Sequence, residues 1–215
     1  MANYHPNDEL LMKFSAGQLT NALGIMVACH LESCEHCQSK VRMYNQIGGE
    51  ILEDTKPVQV SSELREKMKA LLDKPAPAEI SQLSLKAPDP VLPRPLWRFI
   101  PGMLDQLPWK GFTSSIKEYT LPFSDDSYTA KFYKIAAGKE LPEHTHKGNE
   151  FTLVLDGSFS DKSSAYHQGD FILADTETVH QPKAHMDKDC ICFAVMDAPL
   201  KMTGFFGRML NPFMS

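Results

Sequence analysis

The 215-residue sequence has no excess of positive charge: 22 lysines and arginines stand against 27 aspartates and glutamates, giving a net charge of −5. Proteins bind the phosphate backbone of a nucleic acid mainly through clustered lysine and arginine side chains. Neither half of the chain is basic. We therefore expect no direct nucleic-acid partner.

Long apolar runs are also missing, and none approaches the roughly 20 residues that a membrane-spanning helix needs. The first residues, MANYHPNDEL, lack the basic and then apolar order of a signal peptide. We therefore expect a cytoplasmic protein that contacts no membrane. Thiols stay reduced in that compartment, and the odd count of five cysteines also argues against a full disulfide framework.

A proline-rich stretch divides the chain into two parts. Residues 75–95, PAPAEISQLSLKAPDPVLPRP, contain six prolines, each of which removes a backbone donor and disfavours helix in the residue before it. Such a stretch is typical of a stiff, extended linker. We predict one domain over residues 1–74 and a second over residues 96–215, with 75–95 between them.

The first part has the 3.6-residue periodicity of about four short helices. Asp8, Thr20 and Ser61 or Ser62 can cap three of these helices, and another begins near Cys34. The apolar side chains of the fourth helix are expected to face inward; they are Leu64, Met68, Leu71 and Leu72. A helical unit of fewer than 80 residues has a marginal core and usually needs an additional constraint such as a metal.

The second part has short β-rich runs separated by turn residues. The runs are 129–136, 150–157, 170–175 and 190–197. Several short strands without a long helix between them predict an antiparallel sandwich or closed barrel. The apolar residues 201–215 are expected to cover a barrel end or to form a short helix.

Soft metal ligands are concentrated in residues 29–38, CHLESCEHCQ. His30, Cys34 and Cys37 have the spacing H-x3-C-x2-C, which would direct three side chains into the corner between two helices. Structural zinc sites have four Cys or His ligands, so one more ligand is needed. We choose His5, because the chain end before the first helix could fold across this corner.

Other interpretations of this cluster remain open. The fourth ligand could also be Cys29 or His36, and the cysteines could be buried, inert thiols. A redox C-x2-C pair is disfavoured because the βαβ surroundings of that motif are absent. Zinc is favoured because its binding free energy would help so small a helical unit to fold.

A second set of ligand-type residues lies in the β-rich part. His144, His146 and Glu150 occur within residues 138–157 with the spacing G-x5-H-x-H-x3-E-x6-G, and alternate residues share one face of a strand. If the segment that ends at His180 pairs back across a barrel, its imidazole enters the same cavity. Three imidazoles and a carboxylate suit zinc, iron, nickel or manganese.

This second part resembles the cupin family, whose first motif is matched at every defining position. The second motif keeps His180 but has Asp175 and Glu177 where the family usually has proline and glycine, and Ala184 where it has asparagine. The resemblance implies a jelly-roll barrel with one bound metal. A cupin that has lost its metal is the alternative.

A helical H-x3-C-x2-C unit, a proline-rich linker and a cupin together resemble the ChrR-type zinc-binding anti-sigma factors. The resemblance implies a small zinc-stabilised helical domain followed by an antiparallel cupin barrel. It implies that the helical domain binds and inhibits an extracytoplasmic-function sigma factor. The cupin would be needed for release of that factor under singlet oxygen or organic peroxide.

The resemblance also assigns the metal ligands, and it implies neither catalytic residues nor an enzyme. Zinc in the helical domain would be held by His5, His30, Cys34 and Cys37. Zinc or another divalent metal in the cupin would be held by His144, His146, Glu150 and His180.

The competing hypothesis is a metal-dependent cupin enzyme, such as a thiol dioxygenase or sugar isomerase, with the helical unit as a docking module. No arginine lies in the core strands to orient a substrate, since Arg94, Arg98 and Arg208 are the only arginines beyond residue 66. A zinc-storage protein is a poor fit to two sites with different ligand sets.

Cys190 and Cys192 share one strand face and are either core residues or oxidisable sensors.

Overall fold

Helices come first along the chain and strands follow in the computed structural model, which describes residues 2–74 and 89–202 except 101, 112, 124–126 and 199. The helices are α1 (Asp8–Ser15), α2 (Asn21–Leu31), α3 (Glu35–Glu53) and α4 (Ser62–Leu72). Short 3₁₀ turns follow at Arg94–Leu96 and Leu104–Gln106. None of the described helices is both long and apolar enough to cross a membrane.

Twelve strands form the second part of the described chain. They are β1 (Lys110–Gly111), β2 (Ile116–Thr120), β3 (Thr129–Ile135), β4 (His144–His146), β5 (Glu150–Asp156), β6 (Ser158–Ser160), β7 (Ala165–His167), β8 (Phe171–Ala174), β9 (Val179–His180), β10 (Lys183–Ala184), β11 (Cys190–Met196) and β12 (Leu200–Met202). The four predicted β-rich runs are confirmed as β3, β5, β8 and β11. Of the apolar end, residues 203–215 lie outside the described residues.

The strands pair antiparallel into three sheets. The largest has the order β1-β2-β3-β11-β5-β8, and the two smaller ones have the orders β10-β6-β7 and β12-β4-β9. Strand β11 lies in the middle of the large sheet, between β3 and β5. This arrangement agrees with the predicted antiparallel barrel.

Side chains alternate between two apolar layers along β11. Ile191, Phe193 and Val195 belong to a core that includes residues of α2 such as Met26 and Val27. On the other face, the layer inside the barrel contains Cys190, Cys192, Ala194 and Met196. Because both faces of β11 are covered, all of its residues are buried and its sequence is almost continuously apolar.

The N-termini of the helices follow the predicted positions with one correction. Asn7 rather than Asp8 caps α1, because the Asn7 side chain accepts a hydrogen bond from the Leu10 amide at 2.9 Å. Ser61 caps α4 as predicted, accepting from the Leu64 amide at 3.2 Å. Capping side chains of this kind satisfy amides that have no partner within the helix.

The prediction that the apolar side chains of α4 face inward is wrong. No residue of this fully described helix is buried, and the exposed fractions run from 49% at Leu64 to 83% at Leu72. The helical period correctly indicated one apolar side of α4. It could not indicate whether another part of the chain covers that side.

The predicted linker includes residues 75–88, which lie outside the described residues. Its last residues are folded: Asp89 is buried and accepts the amide hydrogens of Val91 and Leu104, each at 2.9 Å. The amide of Arg94 donates to the carboxylate of Glu32, at the end of α2, at 3.0 Å. The predicted domain boundaries themselves stay a prediction.

We predict that a leucine-to-alanine substitution will change the free energy of unfolding much more in α2 than in α4. Leu23→Ala in α2 removes a side chain that is only 4% exposed and should lower the free energy of unfolding by about 2–5 kcal/mol. Leu71→Ala in α4 removes one that is 63% exposed and should change it by no more than about 0.5 kcal/mol. Urea unfolding followed by circular dichroism measures both, and equal losses would contradict the described packing of α4.

Candidate metal centres

The first candidate centre lies where the chain before α1 meets the corner between α2 and α3. His30 is buried in the last turn of α2, Cys34 is the N-cap residue of α3, and Cys37 lies in the first turn of α3. The ligand atoms of these three residues and of His5 all lie within 4.8 Å of one another. We call this group the helical centre.

The distances within the helical centre fit a tetrahedral zinc site. His30 Nε2 lies 3.3 Å from Cys37 Sγ, and His5 Nδ1 lies 3.3 Å from Cys34 Sγ and 3.5 Å from Cys37 Sγ. Zinc–sulfur bonds of about 2.3 Å and zinc–nitrogen bonds of about 2.0–2.1 Å place neighbouring ligands about 3.5 Å apart. Two thiols and two imidazoles are also a donor set that zinc prefers, so these residues fit the predicted metal.

The two alternative ligands lie outside this group. Cys29 is buried in the apolar core, where burial and the nearby Glu32 raise the pKa of its thiol. His36 is exposed, with its ring centroid 5.0 Å from that of His5. The structure thus brings His5 to the three motif residues, and the assignment of the four as ligands stays a prediction.

Burial controls the protonation of the helical centre. It raises the pKa of the Cys37 thiol to about 12 and lowers the pKa of His30 to about 4. At neutral pH without metal, Cys37 is therefore a thiol and His30 a neutral imidazole. A metal ion must displace the thiol proton, whereas the imidazole needs to lose none.

His30 is oriented by the barrel. Its Nδ1 lies 2.9 Å from the backbone carbonyl oxygen of Gly169, which can only accept, so Nδ1 carries the hydrogen and donates it. This tautomer leaves the lone pair of Nε2 free on the side of Cys37. Metal-binding histidines commonly have their second nitrogen held in this way.

The second candidate centre lies inside the barrel, where β4 pairs with β9 and places His144 opposite His180. The Nε2 atom of His180 lies 3.0 Å from that of His144 and 3.1 Å from that of His146. Nitrogen ligands of one metal ion lie about 3 Å apart, given metal–nitrogen bonds of about 2.0–2.1 Å. We call these three histidines the cupin centre.

Hydrogen bonds fix two of these rings so that Nε2 faces the centre. His144 Nδ1 donates to the Pro142 carbonyl oxygen at 2.8 Å, and His180 Nδ1 lies 3.3 Å from Asp161 Oδ2. Sequence reasoning missed Asp161. It lies in the turn after β6, 19 residues before its partner, and no spacing motif relates the two.

Glu150 lies beside the three histidines without joining their nitrogen atoms. Its Oε2 is 3.4 Å from His146 Nδ1, the ring nitrogen opposite the one that faces His180. Oε2 is buried and has no hydrogen-bond partner among the described residues, and burial raises the pKa of the carboxyl to about 7. A buried carboxylate oxygen without a partner fits a nearby cation. Its role as a ligand stays a prediction.

The cavity beside the cupin centre is small. Its volume is about 40 Å³, and its walls include His144, Glu150, His180 and Cys192. Pockets that hold metabolites are typically about 300–1,000 Å³. A cavity of this size suits a few water molecules and gives no support to a sugar as substrate.

Cys190 and Cys192 share the inner face of β11, and their Sγ atoms are 3.7 Å apart. The hydrogen bond between the Cys192 and Cys190 thiols, together with burial, raises the pKa of Cys192. Cys192 is therefore a buried thiol at neutral pH, and Cys190 is buried beside it. Cys192 also contacts the cavity beside the cupin centre.

These features define a class of protein, a cupin barrel that packs against a helical unit with its own candidate metal centre. Residues 102–199 match the family model described as the ChrR Cupin-like domain. Over 214 residues the chain is 34% identical to the anti-sigma-E factor ChrR of Cereibacter sphaeroides, a match that covers 98% of this chain and 97% of the relative. The chain belongs to the ChrR family of anti-sigma factors.

A solved structure agrees with this membership. The crystal structure of Rhodobacter sphaeroides SigE in complex with the anti-sigma ChrR contains a chain that is 31% identical, with a TM-score of 0.76. The match covers 92% of this chain and 100% of that chain. The predicted family and fold class are confirmed, and membership in a family of regulators confirms the prediction that the chain is not an enzyme.

We predict that Glu150 controls the pH dependence of metal binding at the cupin centre. Its carboxyl must lose a proton to bind a cation, so affinity should rise as the pH rises towards the pKa of about 7 and then level off. His144 and His146, with pKa values of about 4, stay neutral over the same range. Chelator competition between pH 6 and 8 measures this on a Cys34→Ser/Cys37→Ser chain, which isolates the cupin centre.

Glu150→Gln is the matched variant, since it keeps the size of the side chain and removes its titration. Zinc affinity of this variant should be independent of pH between 6 and 8. The same rise with pH in Glu150→Gln as in the parent would show that another group titrates and that Glu150 is not a ligand.

Proposed function

We propose that this chain inhibits an extracytoplasmic-function sigma factor in the cytoplasm by covering it with α3 and α4. We further propose that an oxidative signal, singlet oxygen or organic peroxide, acts on the barrel and releases the sigma factor. The observation that carries the first part is an exposed apolar surface on two helices that the rest of the described chain leaves uncovered.

This α3/α4 apolar surface consists of large side chains that are 48–83% exposed. They are Met43, Ile47, Ile51, Leu52, Leu64, Met68, Leu71 and Leu72. Single exposed apolar residues are ordinary, but several large ones at helical spacing on the same helix usually mark an interaction site. A helical partner that covers it would bury the surface that folding leaves in water.

Two adjacent glycines add a second argument for a helical partner. Gly48 and Gly49 lie in α3, and a Cβ atom at either position would meet no atom within 4 Å. The helix backbone is therefore open to close approach at this point. The family relative ChrR forms a complex with SigE, which supports a sigma factor as the partner.

Zinc in the helical centre would serve this function by fixing the start of α3. Cys37 and Val41 are the only buried residues of α3, and both lie in its first two turns. The later turns of the helix are largely exposed and carry the α3 part of the α3/α4 apolar surface. A metal bound at the corner would hold the direction of α3 relative to α1 and α2, so the partner would meet a preformed surface.

The proposed signal would act on groups inside the barrel. Singlet oxygen and organic peroxides oxidise sulfur and imidazole, and the walls of the cupin cavity include both, in Cys192, His144 and His180. Cys190 lies next to this cavity, with its Sγ 3.7 Å from that of Cys192. An organic peroxide reduced to an alcohol and water would take two electrons and two protons from the thiol pair, leaving a disulfide. Zinc or another divalent metal would keep the histidine rings ordered until the signal arrives.

We predict that a charge placed on the α3/α4 apolar surface will break the complex. Ile51→Asp should weaken binding of the sigma factor by at least about 100-fold, because a carboxylate would be buried without a partner. The free chain should keep its stability, because Ile51 is 66% exposed. Co-purification followed by calorimetric titration gives the affinity.

Leu173→Asp is the control for this experiment, since Leu173 is a 50% exposed apolar residue on the barrel. It should bind the sigma factor as the unchanged chain does. If Ile51→Asp bound equally well, the partner would lie on another surface.

We predict that the thiol pair sets the rate of release under organic peroxide. Cys190→Ser/Cys192→Ser should keep the sigma factor bound at least about tenfold longer than the unchanged complex during exposure to organic peroxide, because sulfur is its preferred target. Size-exclusion chromatography of the co-purified complex at successive times measures release. Cys29→Ser, a buried thiol in the helical part, is the control and should release normally. Release of the double variant at the unchanged rate would exclude a thiol sensor in the barrel.

A further inference from the structure

One short stretch of chain contacts both candidate metal centres. Residues 161–171 comprise the turn after β6, strand β7 and the turn before β8. We call these residues the connecting segment. Its first residue contacts a histidine of the cupin centre, and its last three contact residues of the helical centre or their direct neighbours.

At the end of the connecting segment nearer the cupin centre, the Asp161 carboxylate contacts a histidine of that centre and also two backbone amides of its own turn. Oδ2 lies 3.3 Å from His180 Nδ1, while Oδ1 accepts the amide hydrogens of Ser163 at 2.8 Å and Ser164 at 3.0 Å. The Asp161 side chain is almost fully buried. A shift of the His180 ring would therefore move the turn that Asp161 organises.

At the helical end, the segment holds both histidines of the helical centre. The Gly169 carbonyl accepts the hydrogen of His30 Nδ1, as described above. Gly169 has φ +92°, so this carbonyl is presented from a backbone conformation that other residues rarely adopt. Phe171 donates its amide hydrogen to the Tyr4 carbonyl at 3.0 Å and thereby fixes the residue directly before His5.

Asp170 strengthens the same contact. It is completely buried, and its carboxylate accepts the amide hydrogens of Asn3, of Tyr4 at 3.1 Å and of His167 at 2.8 Å. Hydrogen bonds to a charged acceptor in a buried site are stronger than those between neutral groups. The chain before His5 is thus held to the barrel by several such bonds.

Tyr4 connects the two ends of the segment through its side chain. Its hydroxyl forms a hydrogen bond with Ser164 Oγ, in the turn organised by Asp161, and its ring packs on Tyr166 with centroids 4.9 Å apart. Contacts therefore run without interruption from His180 through Asp161 and Ser164 to Tyr4, the neighbour of His5.

We propose that the connecting segment couples the two centres, so that metal in the cupin centre tightens metal binding in the helical centre. A metal that fixes His180 also fixes Asp161 and its turn, and the turn fixes Tyr4 and hence His5. Loss of order at the cupin centre would then loosen the ligands at the start of α3. The regulatory meaning of this coupling rests on the proposed function, but the coupling itself is a property of metal binding alone.

Cobalt(II) tests the proposal on the full chain without any sigma factor. Thiolate-to-cobalt absorption reports the helical centre alone when Cys190 and Cys192 are replaced by serine in every chain compared, because Cys192 contacts the cavity beside the cupin centre. We expect chelator competition to show at least about fivefold tighter cobalt binding there when the cupin centre is loaded than in His144→Ala/His146→Ala, since couplings between sites are typically about 5- to 150-fold. Equal affinities in the two chains would overturn the proposal.

Tyr4→Phe and Ser164→Ala test the route, because each removes one hydroxyl and leaves the packing of the ring. Each should reduce the coupling factor, and the double variant should reduce it no further than either single variant. Ser163→Ala is the control, since the contact of Ser163 with Asp161 uses its backbone amide, and it should keep the full factor. Full coupling in the double variant would overturn this route.

The outcome is independent of whether the proposed partner is correct. Coupling without any sigma-factor complex would leave the inference standing and remove the proposed function. If a chain without coupling released a sigma factor under oxidant, the proposed function would stand and this inference would be overturned.

Discussion

The burial of strand β11 on both of its faces positions both candidate metal centres. Strand β11 directs Phe193 towards the core it shares with α2, and it directs Cys192 towards the cavity of the cupin centre. Burial of apolar side chains on both faces of β11 stabilises the packing of the helical part against the barrel. The helical part therefore packs against the barrel, and the candidate metal ligand His30, near the end of α2, lies beside the turn at Gly169.

Apolar packing and metal ligation would constrain the helical part at different points. Packing fixes α2, whose buried residues include Leu23, Met26 and Val27. It also holds the first half of α3, where Cys37 and Val41 are buried and Tyr44 packs against the core, but it leaves the second half exposed. Ligation of Cys34 and Cys37 would add a second constraint at the start of this helix. A metal at this corner thus lets a small unit expose a long apolar surface and still hold one shape.

Electrostatics favour metal binding at both centres. Burial keeps the imidazoles neutral, with lowered pKa values, so their lone pairs are free at neutral pH. Carbonyl or carboxylate acceptors hold the second nitrogen of His30, His144 and His180. Each ring is therefore fixed in tautomer and direction before a metal arrives. The neutral thiol of Cys37 differs, because it becomes a ligand only when it gives up a proton.

The sequence by itself determined what depends on neighbours a few residues apart. Helical and strand periods predicted the helices and the main strands, and the spacing of His30, Cys34 and Cys37 predicted their meeting at one corner, because it places them at the adjoining ends of two helices. Only the tertiary structure decided which surfaces are covered and which residues support the ligands. The exposure of α4, the contact of Asp161 with His180 and the contact of Gly169 with His30, 139 residues away, depend on how distant segments pack. Packing between distant segments is set by the whole core, and no local period or spacing encodes it.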